Sequence, residues 1–279
     1  MATRHEPRTT LSVLRVVQAA AVAALLAPAA AAAQHDYYNT DTGRPLRTQD
    51  AIAVEYRGFE LLPAPARMER VRGGTYAWSV EPELAYGILP RTQAGIGVPL
   101  LMLEQPGGGG ARFGLGGVHV GALHQLNVES SMLPALAVAG SVLLPAGEFA
   151  PDDTYAGITG IATRTFSWGR LHLNGERTFG PTLGAGSGGH ADLSRWSAGI
   201  AADRAFPLQA FLAGVELVAD QPLDDAEPVR WSVGTGVRYQ LDVYWVLDAG
   251  TAHRFTGDHR SWQLTLGVGR AFGIPRFRY

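Results

Sequence analysis

Reactive chemistry in this chain has to come from histidines, hydroxyls, arginines and carboxylates. No Cys occurs among the 279 residues, and all 23 basic residues are Arg. That excludes a disulfide scaffold, a Cys-ligated zinc site, a thiol nucleophile, and the Schiff-base and phosphate-loop chemistry of Lys. His259-Arg260-Ser261 sets a His and a Ser two residues apart, on one face of a strand. A hydrolytic centre also needs an acid in hydrogen-bond contact, and no acid follows Asp258 in the chain. His172 is followed by Leu173 and Asn174, so no hydroxyl stands beside it. Asp152-Asp153, and Asp224-Asp225 with Glu227, carry oxygen ligands that suit calcium or magnesium at lipopolysaccharide phosphates. They lack the spacing of a calcium-binding loop and read as solvated acids. His35 and Asp36 read as part of a flexible tail. Gly107 to Gly110 is followed by no Lys and is no phosphate loop. The expectation is no catalytic residue, no metal and no cofactor.

A larger set of polar residues is spaced by two. Ser79, Glu81 and Glu83 form one run; His172, Asn174, Glu176 and Thr178 form another. Arg230, Arg238, Glu216, Asp248 and Arg254 sit in similar runs. Each run is interleaved with apolar residues, as in Trp262, Leu264, Leu266 and Val268 against Gln263, Thr265, Gly267 and Gly269. Period two is the signature of strands with two unlike faces. If the apolar faces meet lipid, the polar faces line a lumen. Glu81, Glu83, His172, Glu176, Glu216, Arg238, Asp248 and Arg254 are then the candidate selectivity residues, with Arg facing carboxylate across a channel. Gly234, Gly236, Gly250, Gly267 and Gly269 relieve crowding or allow curvature on these faces.

Twelve such runs are legible, at about 56–71, 74–88, 93–104, 112–125, 132–144, 154–165, 170–179, 193–203, 208–220, 229–240, 243–255 and 261–272. Many are about twice the usual globular strand length and close to the 9–11 residues that cross a bilayer with tilt. Short connections near 89–92, 166–169, 205–207 and 241–242 alternate with longer polar or Gly-rich ones at 105–111, 145–153, 180–192 and 221–228. That parity belongs to outer-membrane barrels with short periplasmic turns and long outer loops. Tyr76, Trp78, Tyr155, Phe179, Trp231, Phe255 and Trp262 fall near the outer ends of the runs. Tyr86, Phe166, Trp168, Phe206, Tyr239, Tyr244, Trp245 and Phe272 fall near the inner ends, so the two sets form girdles at the headgroup level. Trp196 fits this pattern poorly.

Ahead of the runs, Arg4, Arg8 and Arg15 precede an apolar stretch from Val16 to Ala33, with Ala31-Ala32-Ala33 as a cleavage site. This reads as a secretory signal peptide over 1–33. Residues 34–55 read as a polar periplasmic lead segment without a core, and 56–279 as the barrel. The expected fold class is all-β: a transmembrane antiparallel up-and-down β-barrel of about 12 strands in the cell outer membrane. A net charge of −2 argues against a nucleic-acid partner. The expected partners are outer-membrane lipid and lipopolysaccharide and a small-molecule solute.

The stretch Thr42-Gly43-Arg44-Pro45-Leu46-Arg47-Thr48-Gln49-Asp50-Ala51 and the stretch from Gly73-Gly74-Thr75-Tyr76 to Leu89-Pro90-Arg91-Thr92-Gln93 carry a family resemblance. Together they resemble the outer-membrane proteins grouped with the MetA pathway of phenol degradation, most closely over about residues 40–100. The resemblance implies a porin-like barrel passing hydrophobic or aromatic compounds, and it transfers no catalytic residue. The ending Arg276-Phe277-Arg278-Tyr279 resembles the terminal aromatic by which the assembly machinery recognises outer-membrane barrels, which implies that machinery as a partner during biogenesis. Two rivals remain open. One is a lipid hydrolase: His172 to Arg177 is similar to the His/Asn segment of outer-membrane phospholipase A, and His259 with Ser261 to the pair of a lipid-A deacylase. The other is a structural barrel closed by side chains or by residues 34–55 folded inward. A soluble β-sandwich would instead pack its apolar faces on each other.

Overall fold

The computed structural model describes residues 40, 44–70, 74–105, 109–182, 193–224, 227–257 and 260–273. They form one antiparallel sheet of fifteen strand segments, closed on itself by pairing of the last with the first. In chain order these are β1 (Gly58–Arg70), β2 (Tyr76–Val80), β3 (Glu83–Leu89), β4 (Thr92–Gly97), β5 (Leu100–Glu104), β6 (Ala111–Leu115), β7 (Val118–Asn127) and β8 (Ala135–Leu144). They continue as β9 (Tyr155–Phe166), β10 (Gly169–Phe179), β11 (Ser194–Phe206), β12 (Phe211–Pro222), β13 (Arg230–Gln240), β14 (Trp245–Arg254) and β15 (Ser261–Gly273). Three pairs of segments are halves of single walls, so the barrel has twelve. Among the described residues no helix is long and apolar enough to cross a membrane; the strands do so.

The three divided walls correct the continuous runs expected at 74–88, 93–104 and 112–125. β2 and β3 part at Glu81-Pro82, β4 and β5 at Val98-Pro99, and β6 and β7 at Gly116-Gly117. Proline brings no N–H to a ladder, and glycine tolerates the turn that Gly117 makes at φ +126°. β1 shifts register at the same height, between Leu61 and Ala64. The breaks lie side by side, because Leu62 pairs with Glu83, Glu83 with Gly97 and Gly97 with His119 just below them. Two bonds bridge the seam: Val98 N to Pro82 O at 3.0 Å and Gly116 N to Pro99 O at 2.8 Å. Above it, β6 has no strand on its far side among the described residues. Residues 145–151 cover that edge, with Phe149 N donating to Leu115 O and the Phe149 ring against Gly114.

Burial runs opposite to that of a soluble protein. Trp262 is 60% exposed and Leu266 53%, whereas Arg238 is fully buried, together with His172, Asp203, Asp220 and Asp248. On β13 the alternation is complete: Ser232, Gly234, Gly236 and Arg238 point in, and Trp231, Val233, Thr235, Val237 and Tyr239 point out. An apolar outer surface of this extent has lipid as its solvent. Tyr155, expected in the outer girdle, faces inward instead. It is 2% exposed, its hydroxyl donates to Pro181 O, and its ring packs with Leu143, Leu223 and Leu193. Trp196 pairs with Arg177 and Gln221 at the long-loop end, on the face of the outward Ile200. The closing strand runs to Gly273. Residues 1–33, the reach of the expected signal peptide, and the terminal Arg276 to Tyr279 lie outside the described residues.

The inside-out pattern has a direct check. Leu266→Arg, at the middle of β15 on the lipid face, is expected to destabilise the vesicle-inserted barrel by about 2–4 kcal/mol in urea titration. Gln263→Arg, on the inner face of the same strand, is expected to change stability far less.

Candidate functional site

The lumen is occupied by the chain's own residues. From Tyr56, which bridges Gly87 near the short-turn end, the backbone passes inward through Val54, whose N–H meets Gln93 Oε1 at 2.7 Å. Residues 44–52 then lie against the inner wall. The loop closes on itself: Thr40 N donates to Asp50 Oδ2 at 3.0 Å and Asp50 N donates to Thr40 O at 3.2 Å. The segment expected as a periplasmic lead thus places Thr40, Arg44, Leu46, Thr48, Asp50 and Ala51 among the most buried residues of the molecule.

A backbone inside a barrel has no ladder partner, so the wall supplies side chains instead. Glu216 on β12 accepts the N–H of Arg47 at 3.0 Å, and the N–H and hydroxyl of Thr48 at 2.9 Å each. Asn174 on β10 accepts from Gln49 N and donates to Gln49 O, both at 2.9 Å. Thr163 on β9 accepts from Ala51 N at 3.0 Å. Three charge clusters surround these bonds. Arg44 pairs with Asp248 at 2.8 Å, and Arg238 holds the other oxygen of that carboxylate at 2.5 Å; Glu60 lies 3.6 Å from Arg44. Arg47 reaches Asp220 at 3.2 Å, which Arg230 also binds. Arg170 joins Asp203 at 2.6 Å to Asp50 at 3.3 Å.

The wall makes room for the loop with glycine. A Cβ on Gly236 would lie 2.6 Å from Pro45 Cβ, and one on Gly250 2.4 Å from Pro45 O. Gly199 and Gly214 stand in the same relation to Thr48 and Leu46, at 2.7 and 2.9 Å. Glycine also lets carboxylates lie across a neighbouring strand: Glu83 over Gly95, Glu81 over Gly97, Glu176 over Gly157, Glu216 over Gly234 and Asp248 over Gly267.

Thr163, His172 and Asp203 form a relay: Thr163 Oγ1 lies 3.0 Å from His172 Nδ1, and His172 Nε2 3.0 Å from Asp203. The order resembles nucleophile, base and acid. All three are buried, and the hydroxyl oxygen already accepts the Ala51 N–H, so the arrangement seats the loop and presents no nucleophile to lipid. Ser261 also points inward and donates to Glu69 at 2.7 Å; His259 lies outside the described residues. Among the described residues no three His, Asp or Glu are grouped to hold a metal.

Beside the loop a cavity of about 400 Å³ remains. Its lining mixes apolar side chains, Leu62, Leu123, Leu143, Tyr155 and Val218, with charged ones, Arg67, Glu81, Glu83, His119 and Glu176; Leu62 stands opposite Glu83 and Leu143 opposite His119. His119 Nδ1 meets Glu81 at 2.5 Å. Of the eight candidates named from sequence, Glu81, Glu83 and Glu176 therefore line the cavity. His172, Glu216, Arg238 and Asp248 lie under the loop, and Arg254 pairs with Glu69 at 3.2 Å. The sequence reading passed over Arg44, Arg47, Thr48, Asp50 and the wall groups Thr163, Asp203 and Asp220. The signal that could have found them is the glycine on inner faces of β11 to β14, which leaves room for another segment.

No family model and no curated relative matches the chain. Solved structures do. The KdgM porin in complex with disordered oligogalacturonate superposes with a TM-score of 0.53 at 11% identity, over 77% of this chain and 99% of that one. The COG4313 outer membrane channel from Pseudomonas putida F1 gives 0.53 at 13% identity, over 80% and 98%. At these identities the likeness is one of fold: a closed twelve-stranded barrel of the outer-membrane kind.

Two variants test the seat of the loop. Asp248→Asn removes the carboxylate charge that buried Arg44 and Arg238 share, with Glu60 only at 3.6 Å from Arg44, and is expected to cost about 3–5 kcal/mol in urea titration. Gly250→Leu is expected to expel the loop from an otherwise closed barrel, so that trypsin cuts after Arg47 in the folded variant and not in the parent.

Proposed function

We propose that this chain is an outer-membrane channel for small, partly apolar solutes, and that it belongs with the barrels grouped with the MetA phenol-degradation pathway that its residues 42–51 and 73–93 resemble. The observation that carries the reading is the cavity between loop and wall, whose lining sets apolar side chains beside charged ones. A volume of about 400 Å³ is within the range of small-molecule sites and suits a solute of one aromatic ring. A solute passing it meets apolar contacts at Leu62, Leu123 and Leu143 together with polar ones at Glu81, Glu83 and Glu176. These carboxylates, with His119, filter by charge. Arg238, Asp248 and Glu216 act one step removed, by holding the loop that sets the bore. The chain reaches the outer membrane by its cleaved signal, with lipid and lipopolysaccharide around it and the assembly machinery as its partner on the way.

The test is current through a planar bilayer. The refolded mature chain is expected to give small unitary steps, and Gly250→Leu steps several-fold larger. Glu81→Gln together with Glu176→Gln is expected to move the reversal potential in a salt gradient toward anion permeation. Silence from both the parent and Gly250→Leu, each shown to be inserted, would leave the closed structural barrel as the better reading.

A further inference from the structure

The charged groups on the cavity differ in how they are matched. Arg44 and Arg47 are taken by Asp248 and Asp220, and His119 by Glu81. Glu176 accepts the Ser197 hydroxyl at 3.3 Å, and Glu83 has contacts of its own. Arg67 on β1 is the exception. It has no carboxylate, hydrogen-bond or ring partner among the described residues, and its Nε is shut away from solvent with no acceptor. The residues directly opposite on the two flanking strands are Thr265 and Ser79, neither of which carries a charge. The acid two residues along its own strand, Glu69, is already bound by Arg254 and by Ser261. Glu60, lower on the same strand, is turned to Arg44.

We propose that Arg67 is the anchor for an anionic group on the transported solute, and that the solute class is a small carboxylate or phenolate with an apolar body. This deepens the channel reading and rests on it. A guanidinium is a planar, weakly hydrated cation suited to partly buried ion pairs. Its planar fork matches a carboxylate through two parallel charge-assisted bonds. A solute anion supplies the acceptor that the barrel withholds, while the ring or alkyl part lies against the leucines of the same cavity. The acids that share the cavity are held by other groups, Glu81 by His119, Glu176 by the Ser197 hydroxyl and Glu83 by contacts of its own, so they leave the Arg67 fork to the solute. They set a second requirement: a solute with an added positive charge gains nothing at Arg67, and a neutral one leaves it unmatched.

The experiment uses the full mature chain refolded in detergent, with benzoate, benzyl alcohol and benzylamine as probes in titration calorimetry at one ionic strength. Benzoate is expected to bind at least about tenfold more tightly than either of the others, as a charge-assisted pair implies. Arg67→Met is expected to lose about tenfold or more for benzoate with benzyl alcohol unchanged, Arg67→Lys to keep part of the preference, and Leu266→Ala, on the lipid face away from the cavity, to keep all of it. Heat-modifiable migration establishes that each variant is folded; if Arg67→Met fails to fold, Arg67→Gln takes its place. Equal binding of benzoate and benzyl alcohol by the parent, or benzoate binding undiminished in the folded Arg67 variant, overturns the anchor. Arg67-dependent binding in a chain that never conducts would keep the anchor and defeat the channel; currents without any benzoate preference would do the reverse.

Discussion

A polypeptide inside a closed barrel has to find hydrogen-bond partners among side chains, because the wall strands beside it already pair their backbone groups with their neighbours. The loop around Arg44 to Ile52 meets that constraint through Glu216, Asn174 and Thr163, which accept the N–H groups of Arg47, Thr48, Gln49 and Ala51. Most other features of the lumen follow. Glu216 takes three donors on its two oxygens, and its carboxylate lies across Gly234 to reach them. Arg44, once carried inside with the loop, requires Asp248, which in turn is steadied by Arg238. Buried ion pairs of this kind add little net stability compared with apolar packing, but removing one member is costly. They therefore specify one seat for the loop more than they strengthen the barrel.

The same seat decides where space is left in the lumen. Glycines at 199, 214, 236 and 250 clear the inner faces of β11 to β14, and the loop fills them. The cavity runs from the loop and the inner faces of β10 to β12 across to β3, β4 and β7, where Glu83, Gln93, His119 and Leu123 face it. The seam of interrupted ladders, with Pro82, Pro99 and the Gly116-Gly117 step, crosses the wall on that side. Strand breaks and that end of the cavity thus coincide on the part of the barrel that the loop does not buttress.

The fold was legible because lipid imposes a simple rule. Period-two alternation on β13 and β15, strand length and the parity of turns and loops each followed from outward apolar and inward polar faces. What was missed has physical causes. Pro82 sits at an apolar position of an alternating run, and alternation alone does not register the missing N–H that parts β2 from β3. Tyr155 lies at a strand end, where an aromatic serves a girdle or a core equally well; contact with Leu143 and Leu223 decided for the core. Residues 44–52 carry no strand or helix period, because their structure is dictated by groups 112 to 204 positions away in the chain. The glycines that receive them were visible but had no partner in sight.

The seat of the loop is the claim on which the rest stands, and the absence of native Cys makes it directly measurable. A Cβ built on Gly199 lies 3.7 Å from Thr48 Cβ, close to the spacing of about 3.8 Å found across disulfides. The doubly substituted chain, Thr48→Cys with Gly199→Cys, refolded into vesicles and exposed to a mild oxidant, is expected to form an intramolecular disulfide in most molecules, read as loss of free thiol and a reducible change in gel migration. Two thiols that stay reduced and react freely with a water-soluble maleimide in the folded barrel would contradict the account, because the loop would then lie outside the lumen.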